Sequence, residues 1–260
     1  MCIVWGWNMK NIRRDTLREY IQEKGQIHLK DLEKLFPLVS TMTLRRDMDY
    51  LEEKGYILRI RGGARAINRL SSSKEDVFSQ RLMENTDAKN QIAKKAVDLM
   101  ERGRSIFVDS GTTMMCLAKL IPDENYSIFT SGPNIGLQIL KNQKPSISLI
   151  GGQLSRNNLS SSGLISEEII KKINIDMAFM STSGFSLDSG FTIGDLNESN
   201  LKRAIIKKAK KIILLMDLDK LDKNLPFTFA VLKDIDFLIT DGTLPDYIQK
   251  AAEKYSVQII

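Results

Sequence analysis

Cysteine and histidine are scarce in this sequence. Its 260 residues include two cysteines, Cys2 and Cys116, and one histidine, His28. Two cysteines cannot form a disulfide scaffold, and their scarcity is typical of proteins from a reducing compartment. A single histidine excludes a histidine-based metal cluster and argues against a Ser-His-Asp catalytic triad. We therefore predict no metal site and no cofactor.

Long apolar runs are also absent from the sequence. No run approaches the roughly 20 residues that a membrane helix needs. Residues 1–8 are apolar, but they have neither the preceding positive segment nor the small-residue cleavage site of a signal peptide. Met9 followed by Lys10 has the form of a start, so we expect residues 1–9 to be a disordered extension. Together these features predict a cytoplasmic protein without a membrane partner.

Positive charge is concentrated near the N-terminus. The formal net charge is +6, and residues 10–70 contain 14 basic and 9 acidic residues, whereas residues 71–260 contain 24 basic and 23 acidic ones. This asymmetry favours a small module that binds a polyanion, followed by a larger module that does not. An ordinary basic surface would give the same numbers, so charge alone leaves both interpretations open.

Residues 40–47 give the strongest local signal for function. Ser40 is a suitable helix N-cap, because its hydroxyl can accept a hydrogen bond from a backbone N–H of the first turn. Arg45 and Arg46 lie outside the apolar face of this predicted helix. That face is formed at helical spacing by Leu44, Met48 and Leu51. A helix that buries one stripe and exposes threonine and arginine suits a DNA major groove.

The flanking patterns indicate a winged helix-turn-helix. Helical patterns cover residues 11–24 and 29–36, and the third helix extends to about Lys54. Residues 56–67 then alternate apolar and basic side chains around a Gly-Gly turn, which predicts a hairpin. In this hairpin Leu58 and Ile60 lie opposite Arg59 and Arg61, and the arginines face outward towards DNA phosphates.

The pattern changes after a Ser-rich stretch, which we interpret as a linker over residues 69–75. Short apolar runs alternate with helical stretches, a pattern that predicts a mostly parallel sheet with helices on both faces. The predicted strands are Ser105–Val108, Ser127–Phe129, Ser146–Ile150, Met177–Met180, Ile212–Met216, Phe237–Ile239 and Val257–Ile260. The predicted helices cover residues 89–102, 113–121, 133–142, 163–173, 198–211 and 245–255.

Small polar residues follow four of the predicted strands. Ligands of open α/β sheets bind at the carboxyl ends of the strands, so we expect these turns to meet at one site. The turn Asp109-Ser110-Gly111-Thr112-Thr113 offers hydroxyls and backbone N–H groups at a helix start, which suits a phosphate monoester. Its Ser and Thr could equally be simple helix caps. The other turn residues assigned to the site are Thr130, Ser131, Gly151, Gly152, Ser183 and Gly184.

Lys202 and Arg203, near the start of a predicted helix, could supply a cation to the same crevice. The lysines that follow on this helix favour a second interpretation, a solvated helix face. We include Lys202 in the predicted effector site.

These motifs resemble the DeoR family of bacterial transcriptional regulators over residues 10–260. The N-terminal likeness is carried by Ser40-x-x-Thr43-x-Arg45-Arg46-Asp47, Leu51-Glu52, Gly55 and Arg61-Gly62-Gly63-Ala64. The C-terminal likeness is carried by Lys89, Ile92-Ala93, Ala96, Asp109 to Thr113, Gly151-Gly152, Lys202-Arg203, Asp217 with Lys220, and Thr240-Asp241. The resemblance implies a repressor whose C-terminal domain binds a phosphorylated sugar or a related metabolite. It also implies a fold similar to sugar-phosphate isomerases and CoA-transferases, without catalysis.

Three turns depart from the family pattern. The family usually has Thr-Asn-Ser at Thr130 to Gly132, Gly-x-Asp-Gly at Ser181 to Gly184, and Asp-Ser-Ser-Lys at Asp217 to Lys220. Ser183 therefore stands where an aspartate is expected. Since such groups would hold sugar hydroxyls, we hypothesise an unusual effector or weakened effector binding.

The combined interpretation is a homo-oligomeric DNA-binding repressor of carbohydrate-metabolism genes, with a sugar phosphate as effector. We assign residues 10–68 to DNA binding and residues 76–260 to effector binding and oligomerisation. Asp47 is expected to orient a neighbouring arginine. A sugar-phosphate isomerase, or a regulator without an effector, remains the alternative. The predicted DNA contacts are Ser40, Thr41, Thr43, Arg45, Arg46, Arg59, Arg61 and Arg65.

Overall fold

A computed structural model describes residues 13–21, 24–53, 56–60, 62–66 and 78–260. The chain divides into two compact units, residues 1–72 and residues 73–260. The predicted extension at residues 1–9 and the predicted linker at residues 69–75 lie outside the described residues.

The first unit has the predicted three helices followed by a hairpin. Helix α1 covers residues 13–21 of the described chain. The other elements are β1 (Gln26–His28), α2 (Leu29–Leu35), α3 (Thr41–Glu53), β2 (Ile57–Ile60) and β3 (Gly63–Ala66). Strand β1 was not predicted. It has three residues, too few to show a strand period, and it pairs antiparallel with β3 in a sheet of order β1-β3-β2.

Helix α3 forms for the reasons that its sequence indicates. The backbone N–H of Thr43 donates to Ser40 Oγ at 3.2 Å, so Ser40 is the N-cap as predicted. Leu44 and Met48 are fully buried and Leu51 is 2% exposed, in a core shared with α1 and α2. Each such side chain stabilises the unit by roughly 1.5–3 kcal/mol. The opposite side of α3 stays at the surface.

Strand β2 of the hairpin faces the other way from our prediction, whereas β3 has Ala64 inside and Arg65 outside as predicted. Leu58 pairs with Arg65, and Arg59 pairs with Ala64. Directly opposed residues share a face of the sheet, and Ala64 is fully buried whereas Leu58 is 52% exposed. The prediction of Leu58 inside and Arg59 outside was therefore wrong. The physical reason is packing against the helices: Ile57 and Ala64 are buried in the core that the three helices form, so the inward face of β2 carries Ile57 and Arg59.

The second unit is built on a parallel sheet that matches the prediction closely. All seven predicted strands join it, in the order β15-β14-β12-β9-β4-β5-β6. Side chains alternate between two cores, one on each face, as successive residues of β4 show: Phe107 faces one core and Val108 the other. The strands are β4 (Ser105–Val108), β5 (Ser127–Thr130), β6 (Ser146–Leu149), β9 (Ile175–Ser181), β12 (Ala209–Leu215), β14 (Phe237–Ile239) and β15 (Gln258–Ile259).

Pairing of β4 with β9 places the turns after these two strands side by side, at the carboxyl edge of the sheet.

All six predicted helices of this unit are present, and each has fewer residues than predicted. The helices are α5 (Thr86–Val97), α6 (Thr112–Ala118), α7 (Pro133–Ile139), α8 (Leu164–Lys171), α9 (Leu196–Lys208) and α10 (Asp246–Lys254).

Several short elements were not predicted. Most have three or four residues and are rich in serine or glycine, so they show no apolar period. They include a two-stranded hairpin, a three-stranded antiparallel sheet and one helix. These are β7 (Gln153–Ser155), β8 (Ser160–Ser162), β10 (Gly184–Ser186), β11 (Gly190–Ile193), β13 (Phe227–Ala230) and α4 (Phe78–Met83).

Candidate functional sites

The outer surface of α3 presents two arginines. Arg45 and Arg46 are exposed on the side away from Leu44 and Met48. Among the described residues, neither guanidinium has a hydrogen-bond or ion-pair partner. Two adjacent cations on an exposed helix face can approach a polyanion without first breaking a protein contact.

The hydroxyls at the start of α3 form hydrogen bonds with other side chains of the protein. Thr41 Oγ1 donates to Glu33 Oε1 at 2.7 Å. The hydroxyls of Ser40 and Thr43 lie 2.9 Å apart and share a hydrogen bond. These contacts fix the start of α3 relative to α2. A base contact by any of the three hydroxyls would have to compete with them.

Asp47 is buried and holds two arginines that sequence reasoning did not consider. Its side chain accepts from Arg13 Nε and Arg14 Nε, both at 2.7 Å, and the residue is 1% exposed. The guanidinium of Arg14 also lies over the ring of Tyr50, with its carbon 3.7 Å from the ring centroid. Asp47 thus joins α1 to α3. The arginines that it orients come from another helix and are not Arg45 or Arg46.

Arg59 ties the hairpin to α3. Its Nη1 donates to the carbonyl oxygen of Arg45 at 3.3 Å and to the carboxylate of Asp49. Its backbone N–H donates to Glu52 Oε1 at 2.7 Å. Our expectation that Arg59 faces outward for phosphate contact does not match this geometry, because the inner side of β2 turns the side chain towards the helix.

Arg65 lies at the outer surface of the hairpin. Arg65 is exposed, and its Nη2 donates to Gln26 Oε1 at 2.9 Å, which holds the guanidinium at the surface of β3. Arg61 lies outside the described residues. Arg65 is therefore the hairpin cation that the structure leaves at the surface.

In the second unit, the turns after β4 and β9 border a polar cavity. The empty space there is about 390 Å³ when open solvent at its mouth is counted, and about 20 Å³ of it can hold the centre of a water molecule. Part of the predicted set lines it, namely Ser110, Gly111, Thr112, Thr113, Ser183 and Lys202. Sequence reasoning missed several further lining residues, among them Arg81, Asn158, Ser181, Glu198 and Lys220.

The remaining predicted residues do not line this cavity. Thr130 Oγ1 accepts from the N–H of Gly132 at 3.0 Å, and the carbonyl of Ser131 accepts from the N–H of Ser161 at 2.7 Å. These groups shape the turn after β5. Their role in binding an effector stays a prediction.

Two of the predicted glycines, Gly152 and Gly184, serve close packing, whereas a side chain at Gly151 would meet open space. The carbonyl of Gly151 accepts from Ser166 Oγ at 2.6 Å. A Cβ at Gly152 would lie 2.2 Å from Ser166 Oγ, and a Cβ at Gly184 would lie 2.2 Å from the carbonyl oxygen of Lys223. Such short distances exclude any side chain at either position unless the neighbours move.

Asp109 and Lys202 form a buried ion pair beneath the cavity. Lys202 Nζ contacts the carboxylate of Asp109 and donates to the carbonyl of Ser181 at 3.0 Å. Ser181 also donates to Asp109 through its N–H at 3.0 Å and its hydroxyl at 3.2 Å. Both charged side chains are 2% exposed. The pair therefore fixes β4, β9 and α9 together, and Asp109 neutralises the charge of Lys202.

Arg81 and Lys220 leave the cavity lining positively charged. Among the described residues, Lys220 has no ion-pair partner. Lys89 lies near Lys220, and burial, then the charge of Lys220, lowers the pKa of Lys89 to about 8. The hydroxyls of Thr112 and Thr113 have no hydrogen-bond partner among the described residues. Because α6 has seven residues, these side chains, more than a helix dipole, make the cavity suitable for an anion.

Some of the missed residues carried a usable signal. Glu198 lies four residues before Lys202, so both point to the same side of α9. Lys220 belongs to the motif with Asp217 that carried the family resemblance. Arg81 and Asn158 carried none, because α4 and the β7–β8 connection were not recognised as elements of the site.

A winged helix unit and an α/β unit with a cation-lined cavity define a class of protein, the ligand-sensing DNA-binding regulators. Within that class, residues 13–70 match the DeoR-like helix-turn-helix domain, and residues 84–242 match the DeoR C terminal sensor domain. The chain belongs to the DeoR family of transcriptional regulators, which confirms the resemblance stated from its motifs.

Named relatives agree over nearly the whole chain. It is 33% identical to the HTH-type transcriptional regulator IolR of Bacillus subtilis, covering 96% of this chain and 99% of that one. It is 32% identical to the regulator GlpR of Haloferax volcanii, covering 85% and 86%. It is 27% identical to the glycerol-3-phosphate regulon repressor of Escherichia coli, covering 95% and 97%.

Among solved structures, ribose 5-phosphate isomerase A of Methanocaldococcus jannaschii matches 53% of this chain and 55% of its own. The TM-score is 0.40 and the sequence identity is 15%. No helix in the described part of the chain has the length and apolar character needed to cross a membrane.

Proposed function

We propose that this protein is a repressor of carbohydrate-metabolism genes whose affinity for operator DNA changes when a phosphorylated sugar binds the second unit. The observation that carries the proposal is the cavity at the carboxyl edge of the sheet. There Arg81, Lys220 and the hydroxyls of Thr112 and Thr113 converge. A relative named as a glycerol-3-phosphate regulon repressor is consistent with an effector that bears one phosphate.

On the DNA side, we propose that α3 enters the major groove and that Arg45 and Arg46 reach base edges. Arg65 would contact a phosphate from β3, and Arg61 would do so from the adjacent turn. Ser40, Thr41 and Thr43 would contribute through the geometry of the helix start. Arg59 has a different proposed role, because it positions the hairpin against α3.

On the effector side, we propose that the phosphate lies against Gly111, Thr112 and Thr113, with Lys220 and Arg81 as its cations. Asp109 and Lys202 form the frame of this site and do not touch the ligand. Helix-turn-helix regulators bind repeated half-sites as symmetric oligomers. We therefore propose a homo-oligomer in the cytoplasm, assembled through the second unit.

Glu198 favours one second candidate, an isomerase that acts on a sugar phosphate, because it places a carboxylate in the cavity. General acid-base isomerisation needs a carboxylate that can exchange protons with the substrate carbons. The side chain of Glu198 instead accepts hydrogen bonds from Asn158 and Ser160. We propose binding without turnover. Conversion of ribose 5-phosphate or another aldose phosphate by the purified full chain would contradict this.

The experiment is a thermal-shift screen of the full chain with sugar phosphates and their unphosphorylated parents. Ligands that bind the native state raise the melting temperature by mass action. We expect a shift from a phosphate and none from its parent, and loss of that shift in Lys220→Ala. Lys223→Ala, an exposed lysine outside the cavity, is the matched control. Equal shifts from parent and phosphate would refute the phosphate site.

A further inference from the structure

Strand β6 is an edge of the seven-stranded sheet, and among the described strands its one neighbour in that sheet is β5. The backbone N–H groups of Ser146 and Ile150 donate to carbonyls on the β5 side. Successive residues of a strand direct their backbone groups to alternate sides, so those of Ile147 and Leu149 point away from β5. Lysine, proline or a bulge often protects such an edge from other chains, and β6 contains none of them.

Helices lie on both faces of the sheet beside this edge. Helix α7 packs on one face, where a Cβ at Gly136 would lie 3.8 Å from Ile147 Cγ2. Helix α8 packs against the opposite core through Ile170, and its Ser166 donates to the carbonyl of Gly151, just after β6. The chain around the edge therefore presents side chains from two helices as well as from the strand.

Six large apolar side chains of these segments are at least half exposed. With β6 they form what we call the edge surface. They are Leu137 and Leu140 on α7, Leu149 on β6, Leu154 on β7, and Leu164 and Ile165 at the start of α8.

Charged residues are depleted in this part of the chain. Residues 127–166 include three charged residues, Lys141, Lys144 and Arg156, whereas 27% of the whole sequence is charged. None of the three belongs to the edge surface. Depletion of charge at the centre is what distinguishes a protein–protein interface from the rest of a surface. A second protein could therefore cover the edge surface without removing water from a charged group.

The exposed apolar area matches what a stable dimer needs. The six side chains together expose about four whole residues' worth of surface, and at about 100 Å² of apolar area for each, two copies would bury roughly 800 Å² of it. Because about 60% of an interface is apolar, the total would be about 1,300 Å². Stable interfaces bury about 1,200–2,000 Å².

We propose that the edge surface binds the same surface of a second copy of this chain, with the two β6 strands antiparallel and the two sheets continuous. A twofold axis through Ser148 places Ile147 of one copy opposite Leu149 of the other, where the two residues can exchange both backbone hydrogen bonds. The apolar side chains on each face then pack across the axis. This inference rests on the proposed assembly through the second unit and identifies its surface.

The first test is disulfide crosslinking of the full chain at the axis. Opposed residues in a non-hydrogen-bonded antiparallel pair have Cα atoms about 4.5 Å apart, which permits a disulfide. We expect Ser148→Cys, in a Cys2→Ser background, to form a covalent dimer on mild oxidation, since Cys116 is buried. Ser256→Cys, exposed next to β15 at the opposite sheet edge, should not. Crosslinking at Ser256→Cys alone would overturn the assignment to β6.

The second test is sedimentation equilibrium of Leu149→Lys, which places a charge at the centre of the edge surface. We expect its dimer dissociation constant to rise at least tenfold. Leu187→Lys is the matched control, because Leu149 is 50% and Leu187 41% exposed and Leu187 lies outside the edge surface. Its dissociation constant should equal that of the wild type. An exposed leucine contributes little to the fold of a single chain, so thermal unfolding of both variants should remain cooperative.

The two tests separate this inference from the proposed function. A wild-type oligomer that neither crosslinks at Ser148→Cys nor weakens in Leu149→Lys overturns the inference, while assembly through the second unit stands. A wild-type monomer overturns the assembly and the inference together. Binding of a phosphorylated sugar in the thermal-shift screen is independent of both results.

Discussion

Each unit has a buried aspartate next in sequence to residues that we propose contact the ligand or DNA. The two aspartates differ in how exposed their basic partners are to solvent. Asp47 follows Arg46, Asp109 precedes Ser110, and both are 1% exposed. The partners of Asp47, Arg13 and Arg14, are 22% and 13% exposed, whereas Lys202, the partner of Asp109, is 2% exposed.

The comparison shows that a buried carboxylate next to an anion-binding surface has a structural role. In neither unit does the aspartate face the proposed ligand. It fixes basic side chains from a sequence-distant helix and thereby sets the position of the neighbouring contact residues. The difference in burial means that loss of the partner should be costly in the second unit and milder in the first, since partly exposed guanidiniums can be rehydrated.

The largest expected effect is therefore from Asp109→Ala. Removing one partner of a buried ion pair leaves the other charge uncompensated, and we expect the second unit to lose about 3–5 kcal/mol of unfolding free energy. Urea unfolding of the full chain measures this. Asp188→Ala, an exposed aspartate, should change stability by less than about 0.5 kcal/mol. A loss below about 1 kcal/mol for Asp109→Ala would show that the folded protein does not need Asp109 to compensate the charge of Lys202.

Next in size is the effect of Arg45→Ala or Arg46→Ala on DNA binding. We expect each to weaken operator binding by about 1–3 kcal/mol if it reads a base, with unchanged stability because neither guanidinium has a partner in the described structure. The operator can be selected from random duplexes by the protein itself and its affinity measured by gel shift. Lys30→Ala, an exposed lysine on α2, is the control. Unchanged affinity in both arginine variants would contradict the assignment to α3.

A smaller effect is expected from Asp47→Ala. Two hydrogen bonds from charged donors are lost, but Arg13 and Arg14 can reach water, so we expect a loss of about 1–2 kcal/mol in the unfolding transition of the first unit. Asp15→Ala, at an exposed position of α1, should be nearly neutral. If Asp47→Ala were as costly as Asp109→Ala, partner burial would not explain the difference between the units.

An effect of pH is expected from a buried lysine that has no carboxylate bonded to it in the described structure. Lys89 Nζ donates to the carbonyls of Arg81 and Glu84, and its pKa is lowered from 10.5 to about 8. Between these values the unfolded chain binds the proton that the folded chain has released. The stability of the wild-type protein should therefore rise with pH across this window, by about 1 kcal/mol or more.

Lys89→Met has no such group, so the stability difference between wild type and variant should move in favour of the wild type from pH 7.5 to pH 10. Denaturant titrations of both proteins at the two pH values give this difference. A difference that stays constant would show that the lysine is not penalised by burial. Buried Lys202 is paired with a carboxylate and buried Lys89 is not, so comparing the two lysines separates the effect of burial from that of an ion pair.

The sequence was sufficient for the parallel sheet and for α3, because buried strands appear as apolar runs and α3 combines a cap with a regular apolar face. It was insufficient for the face of β2, which depends on the packing of Ile57 and Ala64 against the three helices. It also placed Thr130, Ser131, Gly151, Gly152 and Gly184 at the site on strand-end position alone. Their polar atoms and small size are used within the turns themselves.

The cavity lining shows the same limit. Ser110 to Thr113 and Lys202 were predicted from their places after a strand and on a helix. Arg81, Asn158 and Glu198 come together only through packing of α4, the β7–β8 hairpin and α9. Only Glu198 carried a local signal, its place four residues before Lys202. No local pattern brings Arg81 and Asn158 to the same place.

The link from Arg59 to Asp49 and to the carbonyl of Arg45 has a geometric consequence for the operator. It ties the hairpin to α3, so in the proposed DNA complex the separation between a major-groove contact and a hairpin contact is set before DNA arrives. The length of each half-site is then a fixed property of the protein. Lengthening or shortening the DNA between those two contacts by a single base pair should not be tolerated, whatever bases it contains.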